Sequence, residues 1–181
     1  MPYGIVLLPD PETADRLAEY AAHVGASGEP LMTIGPAAPP HLTLLHADCG
    51  AEAAQRWWTC VAGALPPVIW VRLNRLAFSP ISPGDFHVPE GGVYAGLEAF
   101  RGRELDAAHD TVVRCAGAVD GRPLTGIGDA FSPHITLGVL RRFPAHRVEL
   151  PADLVTGRFP LRPALGALGR YGTFPDILGP E

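Results

Sequence analysis

One five-residue pattern occurs twice in this chain, as Pro40-His41-Leu42-Thr43-Leu44 and as Pro133-His134-Ile135-Thr136-Leu137. With seven His and nine Thr in 181 residues, chance yields roughly 0.3 His-x-Thr triplets, so two copies in the same Pro and apolar context are a duplication rather than an accident. A duplicated segment of this kind constrains the fold. It calls for two equivalent strands, each apolar on one side, whose polar sides meet.

The chemistry follows from the period of a strand. Residues i and i+2 of an extended segment point to the same face, so His41 with Thr43, and His134 with Thr136, each present an imidazole and a hydroxyl together. Leu42, Leu44, Ile135 and Leu137 then face a core. A single His-x-Thr strand reads first as a hydrogen-bonded histidine at a core edge, whereas the matched pair points to a site. Two imidazoles flanking one substrate can serve as general base and general acid, because an imidazole pKa near 6.5 leaves either role open at neutral pH. Two hydroxyls can donate to anionic oxygens between them. The set suits a phosphate ester.

At these residues the chain resembles the two-histidine (2H) phosphoesterases, which include the 2'-5' RNA ligase and RNA 2',3'-cyclic phosphodiesterase proteins. That family carries two H-h-T-h motifs, where h is apolar, about 80 to 100 residues apart. Tyr3 to Pro9, Val68 to Pro80 and Val93 to Glu98 resemble further strands of the family, and Phe131-Ser132-Pro133-His134 matches its habit of placing Phe-x-Pro before the second histidine. The chain departs from the pattern in two places. The arginine common after the second motif strand is replaced by Val139, ahead of Leu140, Arg141 and Arg142, and the phenylalanine common after the first motif is replaced by His46.

The resemblance implies an α+β fold of two packed lobes over residues 1–181. Each lobe would be a duplicated antiparallel sheet with outer helices, and a pseudo-two-fold axis would relate the His-x-Thr strands near 41–46 and 134–140. It also implies a cyclic phosphodiesterase, with reverse 2'-5' ligase activity as an accompanying expectation. His41, Thr43, His134 and Thr136 are its catalytic set, with His134 as base and His41 as acid. The expected partner is a small nucleotide or an RNA terminus bearing a cyclic phosphate, with no cofactor. Two other classes stay open. One is a module that binds a nucleotide or RNA end without turnover; the other is the same fold acting on a different substrate.

Composition narrows the partners further. The formal net charge is −5 and all fourteen basic residues are arginine, with no lysine, which argues against an extended duplex-binding face. No apolar run approaches the roughly 18–20 residues of a membrane helix, and the start, MPYGIVLLPDPE, lacks the basic opening of a signal peptide. A cytoplasmic monomer without membrane contact is expected. Cys49, Cys60 and Cys115 are odd in number without CxxC spacing, so neither a disulfide nor a metal site is indicated. Cys60 and Cys115 read as small core residues and Cys49 as a minor candidate for the pocket wall.

Along the chain, Asp10-Pro11-Glu12 starts an amphipathic helix reaching about His23. A second helix spans about Ala51 to Gly63, with Trp57, Trp58 and Val61 as packing residues, and a third about Phe100 to Ala118. Strands are expected at 3–9, 68–79 and 93–98, and two closing strands at Gly157 to Pro163 and Ala164 to Phe174. His87, on a Gly/Pro-rich loop, is a weaker substrate-binding candidate at the rim. His46 has the opposite parity to His41 and is expected to point away from the site. His23 and His109 are expected on exposed helix surface and His146 in a loop. No third histidine or carboxylate stands at ligand spacing, so no metal is expected.

Overall fold

Asp10 ends the first strand and opens the first helix. Its Oδ1 accepts a hydrogen bond from Thr13 N at 2.9 Å, satisfying one of the free N–H groups of the first turn while Pro11, which has no N–H to leave unpaired, starts the helix. The computed structural model, which describes residues 2–178, shows this strand–helix start to be the beginning of a unit used twice. The first unit is β1 (Pro2–Pro9), α1 (Pro11–Ala26), β2 (Pro30–Thr33) and β3 (Leu42–Asp48). A bridge of α2 (Ala51–Ala64), β4 (Ile69–Val71) and β5 (Leu73–Ile81) leads to the second, β6 (Gly92–Ala99), α3 (Arg103–Gly117), β7 (Arg122–Pro123) and β8 (His134–Leu140). The chain closes with α4 (Asp153–Thr156), β9 (Phe159–Ala167) and β10 (Asp176–Ile177).

All strand pairings are antiparallel, and the order is β10-β9-β1-β3-β8-β6-β5. The two halves meet where β3 touches β8 at one paired position, Leu42 opposite Ile135. These are the equivalent residues of the two motifs, as a pseudo-two-fold axis requires. Each unit also exchanges parts with the other: β2 pairs with β8 while β7 pairs with β3, and α1 packs on β8 and β2 while α3 packs on β3 and β7. The apolar sides of the motif strands, Leu42, Leu44, Ile135 and Leu137, are buried in one core with Leu17, Tyr20, Trp57 and Val112 from the helices. Trp57 places its indole N–H on the Val112 carbonyl at 3.0 Å, which is how a buried indole meets its polar requirement.

Three expectations need correction. The apolar run 68–79 is not one strand: it breaks at Arg72, so that β4 pairs with β9 in the first half and β5 with β6 in the second. The two closing strands are one strand, β9, which runs through Pro160 and Pro163. Pro163 is tolerated because it lies in the stretch between β4 and β10 where β9 has no outer neighbour, on the side to which the Leu165 carbonyl also points when it accepts from Leu178 N. Cys60 and Cys115 form a disulfide between α2 and α3, Cα–Cα 5.8 Å, and Cys49 is free. Their spacing of 55 residues carries no local signature, and only the packing of the two helices brings them together. Among the described residues no helix is long and apolar enough to cross a membrane.

Candidate active site

Both motif strands carry the same irregularity at the same place. In the β1–β3 pairing Ile5 faces Leu45 and Val6 faces Thr43, so Leu44 is an extra residue; in the β6–β8 pairing Ala95 faces Gly138 and Gly96 faces Thr136, so Leu137 is extra. Each bulge follows the motif threonine directly. A bulge leaves backbone groups without ladder partners, and both of the displaced carbonyls are held by the opposite unit: Leu44 O accepts from His109 Nδ1 at 2.8 Å and Leu137 O from Ile34 N at 3.0 Å. His109 is therefore not on exposed helix surface. It is buried, stacked on Phe131 with ring centroids 3.8 Å apart.

The bulge also corrects the expectation for His46. One inserted residue reverses the in–out alternation beyond it, so Leu42, Leu44, Leu45 and Ala47 are buried in the core while His41, Thr43 and His46 line the same pocket. His46 Nε2 lies 3.3 Å from Thr43 Oγ1, and its backbone N–H donates to Thr125 Oγ1 at 3.2 Å. The equivalent position in the second copy is Val139.

The two motif histidines are anchored identically. His41 Nδ1 is 2.8 Å from the Pro39 carbonyl and His134 Nδ1 is 2.8 Å from the Ser132 carbonyl. A carbonyl can only accept, so each Nδ1 carries a hydrogen and Nε2 is the nitrogen through which each ring can exchange a proton with a ligand. The prolines between, Pro40 and Pro133, bias Pro39 and Ser132 toward extended backbone, which suits this two-residue reach. Both imidazoles and both hydroxyls line one pocket of about 270 Å³. The structure thus brings together all four motif residues with His87, and adds His46, Tyr94, Thr125 and Tyr171. Cys49 is not among the lining residues.

Burial separates the histidines. His41 is 6% exposed and its pKa lies below the usual imidazole value: burial is the main cause, reinforced by His134 and opposed by hydrogen bonds to the backbone at Pro39 and Gly172. His46 is pushed down to about 3, first by burial and then by the neighbouring His87, His41 and His134. His87 is lowered by burial, with the Asp85 carboxylate opposing. His134, in contrast, is exposed. Opposite it in the register stands Glu98, whose carboxylate is gripped by Arg75 at 2.7 and 3.2 Å.

The rim is made by two loops from different halves. Asp85 Oδ1 accepts from His87 N and Val88 N at 2.8 and 3.0 Å, shaping the loop that carries His87, and the His87 carbonyl accepts from Tyr171 N at 3.1 Å. Tyr171 sits in the left-handed region at φ 61°, a conformation unusual for a residue with a side chain, and its hydroxyl donates to Glu90 at 2.6 Å. The His87 ring reaches the His46 ring at a centroid distance of 5.2 Å. Sequence reading found His87 through its loop; Tyr171 and Thr125 carry no comparable signal.

No family model matches the sequence, and no curated protein does. Solved structures do match, over nearly the whole chain. Escherichia coli LigT complexed with 3'-AMP is 15% identical and superposes with a TM-score of 0.63, covering 100% of this chain and 97% of that one. The protein TT0787 of Thermus thermophilus is 19% identical with a TM-score of 0.61, covering 98% and 95%. A structure described as a phosphoesterase is 15% identical with a TM-score of 0.53, covering 100% and 97%. At such identities the likeness shows the fold alone: the chain has the fold of LigT and TT0787.

Proposed function

We propose that the pocket hydrolyses a 2',3'-cyclic phosphate, carried by a small nucleotide or an RNA end, by metal-independent acid–base catalysis. The observation that carries this reading is the paired anchoring of His41 and His134, each fixed through Nδ1 in one pocket with both motif threonines. Pure anion binding needs donors but not a matched pair of imidazoles, one to take a proton and one to give it. Among the described residues the pocket lining contains no arginine, so the phosphate rests on hydroxyls and imidazoles, an arrangement suited to a diester with one negative charge. That a LigT structure holds 3'-AMP supports a nucleotide as the ligand class.

Roles follow from burial. A general base must be unprotonated at the working pH, and His41, buried and shifted below the usual imidazole range, meets that condition. We therefore give His41 the proton of the attacking water and His134, open to solvent, the protonation of the leaving ribose oxygen. This reverses the roles that family resemblance implies. Thr43 and Thr136 donate to the non-bridging oxygens as charge builds on them.

The test is turnover of 2',3'-cyclic mononucleotides and of RNA oligomers ending in a cyclic phosphate, by the protein and its His41→Ala and His134→Ala variants, with and without EDTA. Hydrolysis that depends on both histidines and survives EDTA is expected. Undiminished hydrolysis in the double variant, or activity lost to EDTA and restored by a divalent ion, would overturn the proposal.

A further inference from the structure

The motif threonines differ in what stands behind them, and the difference comes from the shared bulge. Five residues after each motif histidine the reversed alternation brings a side chain to the site face: His46 in the first copy and Val139 in the second. His46 is 5% exposed, its Nε2 is 3.3 Å from Thr43 Oγ1, and its Nδ1 is buried with no partner. Behind it Phe174 packs at a centroid distance of 5.4 Å and His87 at 5.2 Å, while Gly4 on β1 leaves the room the ring occupies: a Cβ there would stand 3.0 Å from His46 Cδ2.

Two tautomers are available to a neutral ring in this place. With the proton on Nδ1, a buried N–H would have no acceptor and the Thr43 hydroxyl would turn its own proton toward Nε2, away from the pocket. With the proton on Nε2, the ring donates to Thr43 Oγ1 and only a bare acceptor lone pair is left unpaired. An orphaned buried donor is the rarer and more costly of the two. The second tautomer also fills an acceptor site of the Thr43 oxygen, so the hydroxyl proton is left pointing into the pocket.

We propose that His46 is a positioning residue: its Nε2–H donates to Thr43 Oγ1 and holds the Thr43 hydroxyl as a donor toward the bound phosphate, a device that the second half of the site lacks. The proposal deepens the phosphodiesterase reading and rests on it for what the hydroxyl does. The ring–hydroxyl contact itself stands apart from that reading. Because the hydroxyl bond tightens as charge develops on phosphorus oxygens, losing the alignment lowers kcat more than it raises KM.

Two measurements decide it. Nitrogen-15 NMR correlation of the imidazoles in the intact protein reads the tautomer directly, whether or not the protein turns anything over: His46 in the Nε2–H form is expected, and the Nδ1–H form would overturn the proposal. The second is a kinetic cycle on a 2',3'-cyclic mononucleotide. His46→Phe, which keeps the ring volume without a donor, should lower kcat about tenfold, part of the ~10²–10³-fold that removing an oxyanion donor outright can cost. His46→Gln, whose amide nitrogen can replace Nε2–H, should recover most of that loss. In a Thr43→Val background His46→Phe should have no further effect, because its partner is gone. A tenfold fall that persists in that background, or a fall in thermal stability with kcat unchanged, would overturn the positioning role. Absence of turnover in the unmodified protein would sink the phosphodiesterase reading and leave the tautomer to decide the contact.

Discussion

The two halves of the pocket share a backbone and differ in cover. Both have the Nδ1 anchor on the carbonyl two residues back, the bulge after threonine and a brace for the bulge carbonyl from the opposite unit. What faces each threonine across the sheet differs: Val6 stands opposite Thr43, and Gly96 opposite Thr136. Val6 belongs to a small cluster with Ala164 and Phe174, and Phe174 meets the His41 ring edge-on at 4.9 Å. Gly96, which lines the pocket, has no side chain to cover His134. The duplication has kept the parts that fix geometry and changed the parts that set solvent access. Two like imidazoles thereby become unlike in burial.

The largest effects should come from removing either imidazole. His41→Ala and His134→Ala are each expected to lower turnover of a cyclic phosphodiester by roughly 10²–10⁴-fold, the range of a positioned acid or base. The halves would not be working partners if one of these variants kept its full rate. Next come the hydroxyls: Thr43→Val and Thr136→Val should each cost about 10–10³-fold. Of the two, the Thr43 variant should be the more damaging if the His46 contact makes that hydroxyl the better aligned donor. Equal losses would show that the hydroxyls act alike despite their different backing.

A smaller effect lies in acid stability, and it centres on His46. An imidazole pushed down to about 3 in the folded protein stays neutral while the same residue in the unfolded chain takes up a proton near its ordinary value of about 6.5. The unfolded state then binds more protons, so stability is present above that value and is lost as the pH falls toward 3. For His46 the loss between pH 7 and pH 5 is about 2 kcal/mol, and the downward shifts of His41 and His87 act in the same direction. Chemical denaturation at the two pH values should show this, and His46→Phe should flatten the dependence. An unchanged slope in that variant would place the acid sensitivity elsewhere.

Much of the site was legible because its parts are local. The histidines, the threonines and the apolar partners sit within five consecutive residues of each copy, and the cap at Asp10 is equally local. Residues that depend on distant packing were not legible. His46 was misread because a bulge is a two-strand property: nothing in Leu44-Leu45-His46 shows that β1 will skip Leu44. His109 looked like a surface residue because its acceptor, the carbonyl of that same skipped leucine, is supplied by another element. The Cys60–Cys115 bond failed to show for the same reason. The break at Arg72 follows from the chain having to serve both halves, which the alternation of apolar residues in 68–79 does not record.

The finest test addresses why the two histidines differ. In a profile of kcat/KM against pH the base must lose its proton, so activity rises with pH through the base's pKa, while the acid must keep its proton, so activity falls through the acid's pKa. With His41 as base, the rising limb should lie below the ordinary imidazole value of about 6.5, because burial lowers the pKa of this group. Phe174 supplies part of that burial, and its ring also fills the space left by Gly4 and Gly166. Phe174→Leu admits solvent to His41 without removing a hydrogen bond, so the rising limb should move up by a fraction of a pH unit. The falling limb should stay in place, since Phe174 makes no ring contact with His134. A falling limb that moves instead would exchange the roles of the two histidines. If neither limb moves, the cover over the first half is packing alone, and the asymmetry between the halves must arise from the charges around them.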